Sequence, residues 1–306
     1  MYHIIANPAA RSGKGKKLWD KKIEPYLKSN NIEYEIHFSK EAGDIANITR
    51  SLLGEKVNIV IVGGDGSVNE LVNSSDDLSN VTLGLVPCGS GNDFAKGLGI
   101  PKNTVKALDI IFKNKQTKPL DIGELSYTDK TSRRFAVSCG IGFDAAVCEE
   151  AARTGFKGFL NKLGLGKLIY GSIALKKIFA AQRTECKLKD EDSGQIMNIK
   201  DLFFLTAMNT AYEGGGFKFA PDADPHDGKL SLCIVSNISS MKFFIALPSA
   251  FSGKHFRYKG IEPLESSKIS VICDDPMWIH TDGEVEKQSA GFTAHIIPGA
   301  LNVFIP

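Results

Sequence analysis

The sequence predicts a two-domain chain: an α/β N-terminal domain with a mainly parallel sheet, then a C-terminal domain of the β-sandwich type. Three observations carry this. Up to about residue 120, short apolar runs alternate with stretches of helical periodicity. Beyond it, strand-length segments follow one another with turn residues between them. In the first part, glycines gather just past the ends of the predicted strands, where open parallel sheets bind ligands.

The elements follow in order. YHIIAN (2–7) reads as a buried strand, followed by a Gly/Lys loop and a helix through KKLWDKKIEPYLKS. YEIHF (34–38) is a second strand, and EAGDIANITRSLLG is amphipathic. VNIVIV (57–62) is a third, with a helix from about Ser67 to Val72, and VTLGLVP (81–87) a fourth before the helical TVKALDIIFKN. From Pro119 onward PLDIGELSY, RRFAVSC, CKLKD, NIKDLFFLTAMN, GKLSLCIV, SKISVIC and FTAHIIP read as strands, with one long helical stretch, 143–182, between them. The domains are placed at 1–120 and 121–297, and the last strand, 298–306, is expected to return to the first domain, since chain ends often lie together.

Bulk properties exclude several classes. A net charge of +2 on 306 residues implies no nucleic-acid partner. The six cysteines are never closer than nine residues apart, so there is no CxxC pair, and their place in apolar runs suits reduced, packed thiols. No signal peptide and no apolar segment of bilayer-spanning length is visible, so a cytoplasmic protein without a transmembrane span is expected. The oligomeric state stays open, a homodimer included.

Three loops carry the chemistry: NPAARSGKG (7–15), GGDGSVNE (63–70) and PCGSGNDFAKGLGIP (87–101). Glycine lets backbone approach a ligand closely, and amides at a glycine turn opening a helix can hold phosphate oxygens. Neither G-x-x-x-x-G-K-[ST] nor a G-x-G-x-x-G opening the first helix is present. One such loop alone could be a tight strand–helix turn; three on one sheet edge point to a ligand. Asp93 by itself could cap the helix of FAKGLG.

These loops resemble those of the diacylglycerol kinase catalytic-domain family of lipid kinases, which includes bacterial diacylglycerol kinases and sphingosine kinases and shares its fold type with NAD kinases. Gly63-Gly64-Asp65-Gly66-Ser67 with Asn69-Glu70 is similar to the family's GGDGT-x-NE loop, and Pro87 to Ala95 to its P-x-G-[ST]-x-NDFA segment. Gly140-Ile141-Gly142-Phe143-Asp144, PDADPHDGKLSL (221–232), Asp282-Gly283-Glu284 and IIPGALNVFIP extend the likeness over essentially the whole chain. Ser67 and Ser90 stand where threonine is commoner, keeping the hydroxyl, and Arg11 where relatives often have glycine.

The resemblance implies an ATP- and Mg²⁺-dependent kinase acting on a lipid hydroxyl, diacylglycerol first, giving phosphatidate. Other substrates of the same class are a sphingoid base, phosphatidylglycerol or NAD; a non-catalytic nucleotide or lipid sensor is the alternative outside it. Asn7, Pro8, Ala9, Ala10, Arg11, Ser39, Gly63, Gly64, Asp65, Gly66, Ser67, Val68, Asn69, Glu70, Ser90, Asn92 and Asp93 are the implied nucleotide-binding residues. Asp65 is implied near the transferred phosphoryl group and its metal. As a pattern, DGE is an ordinary hairpin turn; the resemblance makes it the source of the general base, Glu284 favoured, with Asp282 orienting or substituting for it. Likewise the acids of PDADPHDGKL could be a solvated loop or a cation site; the resemblance implies a structural Mg²⁺ on Asp224, Asp227 and the Lys229 carbonyl. The stretch 151–184 has seven basic residues, no acid and interleaved apolar side chains. It suits either an anionic membrane surface or a helix packed on the sandwich, and a lipid substrate favours peripheral contact with the inner membrane face.

Overall fold

Residues 1–8, 10–153 and 178–306 are described by the computed structural model. Ala9 and most of the basic stretch 151–184 lie outside the described residues. The chain divides into two units: Met1–Ile122 with Pro225–Asp227 and Ile297–Pro306, and Gly123–Asp224 with Gly228–Ile296.

In the first unit β1 (Tyr2–Ala6), β3 (Val57–Gly63) and β4 (Val81–Pro87) are short, largely apolar runs, and β2 (Tyr34–Phe38) alternates with polar residues. They pair in parallel in the order β2-β1-β3-β4, and Asn302 and Val303 of the last strand add in parallel beside β4. Continuous burial of β3 and β4 follows from helices on both faces of a parallel sheet. A helical run, α1 (Ala10–Leu18), a π-helical turn (Trp19–Ile23) and α2 (Glu24–Ser29), covers one face. Its Trp19, Ile23 and Leu27 enter the core with Ile4, Val60, Val62 and Phe112. Each such side chain contributes about 1.5–3 kcal/mol. α3 (Asp44–Leu52), α4 (Asp65–Val72), α5 (Asp93–Gly97) and α6 (Thr104–Asp109) complete the connections.

Among the described residues, the second unit has its strands paired antiparallel. It contains part of β5 (Thr117–Tyr127), then β6 (Ser132–Phe135), β7 (Ser138–Gly142), β8 (Thr184–Asp190), β9 (Ile196–Met208), β10 (Leu230–Ser236), β11 (Ile261–Ser266), β12 (Lys268–Thr281) and most of β13 (Glu284–Phe304). The long strands β9 and β12 each pair with β8 through one half and with β7 through the other. Two strands shared in this way produce the sandwich-like closure, around a core that includes Leu188, Leu205, Leu232, Val271 and Phe292. The helix α7 (Phe143–Arg153) follows β7, and α8 (Ser240–Ala246) follows β10. A ring cluster of Phe143, Phe203, Phe204 and Phe243 packs beneath them. Among the described residues no helix is long and apolar enough to cross a membrane.

Candidate active site

Each unit carries one constellation of polar residues. In the first unit, parallel pairing puts every strand's C-terminal end on one edge, so the loops after β1, β2, β3 and β4 start side by side. Their first residues are fastened to neighbouring strands: Asn7 N–H to the Val62 carbonyl at 3.1 Å, Ser39 N–H to Ala6 at 3.0 Å, Cys88 N–H to Gly63 at 2.8 Å. Asn7, Ser39, Gly63 and Pro87, read from separate stretches of sequence, therefore share one edge.

The glycine-rich turns have a steric reason. A Cβ on Gly64 would lie 2.7 Å from the Gly89 Cα, and one on Gly89 2.6 Å from the Gly64 Cα. The loops after β3 and β4 thus meet backbone on backbone, and any side chain would force them apart. Asn92, at a positive φ of 54°, closes the second loop on itself: its Oδ1 accepts the Gly89 N–H at 2.8 Å and its Nδ2 donates to the Gly89 carbonyl at 2.9 Å. A Cβ on Gly91 would sit 3.0 Å from Asp65 Oδ2 and 3.2 Å from Asp93 Oδ2, so both carboxylates border this glycine. Asp65 Oδ1 accepts the Phe94 N–H at 3.0 Å, and Lys96 donates to Asp93 Oδ1 at 2.6 Å. Gly66 and Ser90 are exposed around them. Two carboxylates, helix starts and exposed backbone together suit a phosphate chain carrying a divalent cation.

Not every residue of the GGDGSVNE loop faces that edge. Val68 and Asn69 are buried at 1% and 3% exposure. Glu70 is engaged within the unit itself. Its Oε2 accepts the N–H groups of Gly43 at 3.0 Å and Ile45 at 3.1 Å, which caps the start of α3.

In the second unit Asp282 and Gly283 form the two-residue turn between β12 and β13, with φ of 51° and 79° and Thr281 facing Glu284. Two positive φ angles are the signature of a type I′ hairpin. Asp282 does more than turn the chain. Its carboxylate accepts N–H groups from Ala136 at 2.9 Å, Val137 at 2.8 Å and Ser138 at 3.1 Å, while its own N–H donates to the Ser138 carbonyl at 2.8 Å. Glu284, the next carboxylate, is exposed. Asp282 is thus tied into the backbone of the second unit, while Glu284 carries the exposed carboxylate of the turn.

Behind the turn lies a group that sequence reading did not assemble. His280, wholly buried, places Nε2 3.0 Å from Asp144 Oδ2 and 3.3 Å from Glu213 Oε1. A Cβ on Gly140 would come within 2.7 Å of that Nε2, which explains one glycine of the GIGFD stretch. Burial pushes the Glu213 carboxyl up to about 7, with His280 opposing and Asp144 adding to the rise. Burial alone would lower the imidazole, but Glu213 and Asp144 raise it to about 9. The Gly283 nitrogen lies 3.2 Å from His280 Nδ1, on the far side of the ring from the two carboxylates. With both groups raised, the imidazole carries its charge between the two carboxylates near neutrality.

A cation at the trio would have to displace the proton that the raised imidazole holds between the carboxylates. A ligating imidazole presents a bare nitrogen to the ion and donates from the other; here the nitrogen facing the carboxylates is protonated. His3, Glu35 and His37 also lie close enough together for a cation, but the two rings hydrogen-bond each other at 3.3 Å. On the loop before β10, Asp224, Asp227 and Lys229 are exposed, and buried Pro225 is pinned by its carbonyl to the Asp121 N–H at 2.9 Å. His226 bonds the Pro119 carbonyl at 2.6 Å.

A parallel sheet with glycine–aspartate loops on its C-terminal edge, in one chain with an antiparallel sandwich-like unit, defines the two-domain class of diacylglycerol kinase and NAD kinase folds. The model of the family described as "Diacylglycerol kinase catalytic domain" matches residues 1–125, and that of the "YegS C-terminal NAD kinase beta sandwich-like domain" matches residues 137–305. The chain belongs to this diacylglycerol kinase family. It is 29% identical over 290 residues to a diacylglycerol kinase of Bacillus subtilis, covering 92% of this chain and 88% of that one. Its fold is similar to that of a diacylglycerol kinase from Bacillus anthracis, with a TM-score of 0.73 at 20% identity over 100% of this chain and 96% of the other. An NAD kinase from Archaeoglobus fulgidus in complex with ATP shares the fold more distantly, with a TM-score of 0.52 at 13% identity over 99% and 93% of the two chains.

Proposed function

We propose that the protein is a lipid kinase that transfers the γ-phosphoryl group of ATP to the hydroxyl of diacylglycerol, giving phosphatidate and ADP, at the cytoplasmic face of a membrane. The observation that carries this is the placement of Asp65 and Asp93 about Gly91 on the strand-end edge of the first unit. The family membership and the name of the Bacillus subtilis relative support the choice of lipid.

In this reading Asn7, Pro8, Ser39, Gly63–Ser67 and Ser90–Asp93 line the nucleotide site. The bond formed joins the lipid hydroxyl oxygen to the γ-phosphorus, the β–γ bridge opens, and the hydroxyl proton passes to Glu284. Asp282 holds the turn that carries Glu284. A Mg²⁺ on the nucleotide would neutralise phosphate charge beside Asp65. The loop of Asp224, Asp227 and the Lys229 carbonyl offers hard oxygen donors on an anchored backbone, which fits a structural Mg²⁺.

The test is incubation with labelled ATP, Mg²⁺ and a panel of diacylglycerol, a sphingoid base, phosphatidylglycerol and NAD. Labelled phosphatidate is expected, and Asp65→Asn should lower its rate by about 10²–10³-fold while leaving the melting temperature nearly unchanged. Label on NAD alone would move the chain to another substrate class. No label on any acceptor, with unconsumed ATP, would leave a binding protein on this fold.

A further inference from the structure

Four large hydrophobic side chains stand exposed between Met241 and Phe251 in the second unit: Met241 at 56%, Phe244 at 44%, Ile245 at 59% and Phe251 at 55%. They belong to α8 and the 3-10 turn that continues it, Leu247–Ser252. Ser239 caps α8, its hydroxyl accepting the Lys242 N–H. The inward side of this stretch is already satisfied. Phe243, Ala246 and Ala250 are buried, and the Phe243 ring packs on Phe203 and Phe143 at centroid distances of 4.8 and 5.6 Å. Met241, Phe244 and Ile245, with exposed Pro248 a turn on, recur at helical three- and four-residue spacing, so they form a second apolar face turned outward. Phe251 is held in place by stacking on Phe217 at 4.0 Å. A helix apolar on both sides at a surface has a partner for the outer side.

Charge identifies that partner. From Asn237 to Lys259 the chain has Lys242, Lys254, Arg257 and Lys259 and no aspartate or glutamate. All four cations are exposed. A second copy of this face would set like charges against like, which disfavours self-association. An anionic bilayer meets both demands: acyl chains for the phenylalanines and isoleucine, anionic headgroups for the lysines and arginine. We propose that α8 and the turn to Ser252 form a docking face that seats this unit on an anionic lipid surface, lying in the interface and not crossing it. The proposal rests on the lipid-kinase reading only in that such a kinase needs its substrate presented by a bilayer.

The experiment is co-sedimentation of the full chain with phosphatidylcholine vesicles containing phosphatidylglycerol, and with phosphatidylcholine vesicles alone, at low and high salt. Binding to the anionic vesicles, weakened by salt, is expected. Phe244→Ser with Ile245→Ser should lower the partition coefficient by about tenfold or more. Lys242→Glu with Lys254→Glu should erase the preference for anionic vesicles. Both pairs are surface changes, so melting temperature and phosphorylation of a short-chain, water-dispersed diacylglycerol should stay as in the parent chain. Vesicle binding unaltered in both pairs overturns the proposal, as does a concentration-dependent dimer that Phe244→Ser with Ile245→Ser dissociates. Absent kinase activity with intact, substitution-sensitive vesicle binding would sink the kinase reading and leave the docking face standing.

Discussion

Asp65 in the first unit and Asp282 in the second both sit at glycine turns and both accept backbone N–H groups, yet they are held differently. One oxygen of Asp65 takes the Phe94 N–H, and the carboxylate shares the border of Gly91 with Asp93. Both oxygens of Asp282 are engaged, by three successive N–H groups from Ala136 to Ser138. Behind Asp282, the acids Asp144 and Glu213 are turned inward on His280. Asp282 is thereby built into the backbone of the second unit, whereas Asp65 stands beside a second carboxylate at the border of a glycine loop.

The largest test of that contrast is at Glu284. Glu284→Gln keeps size and hydrogen bonding but cannot take the substrate proton, so kcat should fall by about 10²–10⁴-fold with the KM for ATP little changed. Asp282→Asn should show the other pattern. Losing the charge that binds three N–H groups should lower stability by about 2–3 kcal/mol, read as a drop in urea midpoint, with a smaller loss of kcat than Glu284→Gln. A full loss of kcat at unchanged stability would instead make Asp282 the base.

The buried trio is tested by pH. Glu213 and His280 are both raised, to about 7 and about 9 from ordinary values of 4.5 and 6.5, so the folded unit binds more protons than the unfolded chain near neutrality. Their contribution is fully present below pH 4.5 and is lost as pH rises through about 7 and about 9. Stability should therefore decline from acid toward alkaline pH, and Glu213→Gln should flatten that decline. An unchanged slope in the variant would mean that the trio does not retain the proton. The smallest effect is expected at Glu70. Glu70→Gln should lower stability by about 0.5–1 kcal/mol through the weakened α3 cap and leave the KM for ATP alone. A raised KM would return Glu70 to the nucleotide site.

These expectations also mark what was legible beforehand. β2 and β4 read at their observed ends: alternating YEIHF and apolar VTLGLVP both match strand patterns. The GGDG and GSGND loops were legible because their chemistry is local: the glycines, the carboxylate and the helix start follow within a few residues. The contacts of Glu70 were not legible, because it stands in the same eight residues yet reaches α3. Glu213 and His280 gave almost no signal. Glu213 follows an ordinary loop, and His280 reads as one position of a strand; the glycines of GIGFD were the one local sign that something is packed closely there.

By itself the sequence determined the alternation of strand and helix in the first unit, the change of pattern near residue 120 and the loops that carry Asp65 and Asp93, all properties that depend on neighbours a few positions away. Only the tertiary structure decided which carboxylates are available. Pairing of β7 with β9 and β12 brings Asp144, Glu213 and His280 together from distant positions, and the fold carries the N–H groups of 136–138 to Asp282. Burial and hydrogen-bond count belong to the folded environment of a side chain, and no local pattern encodes them.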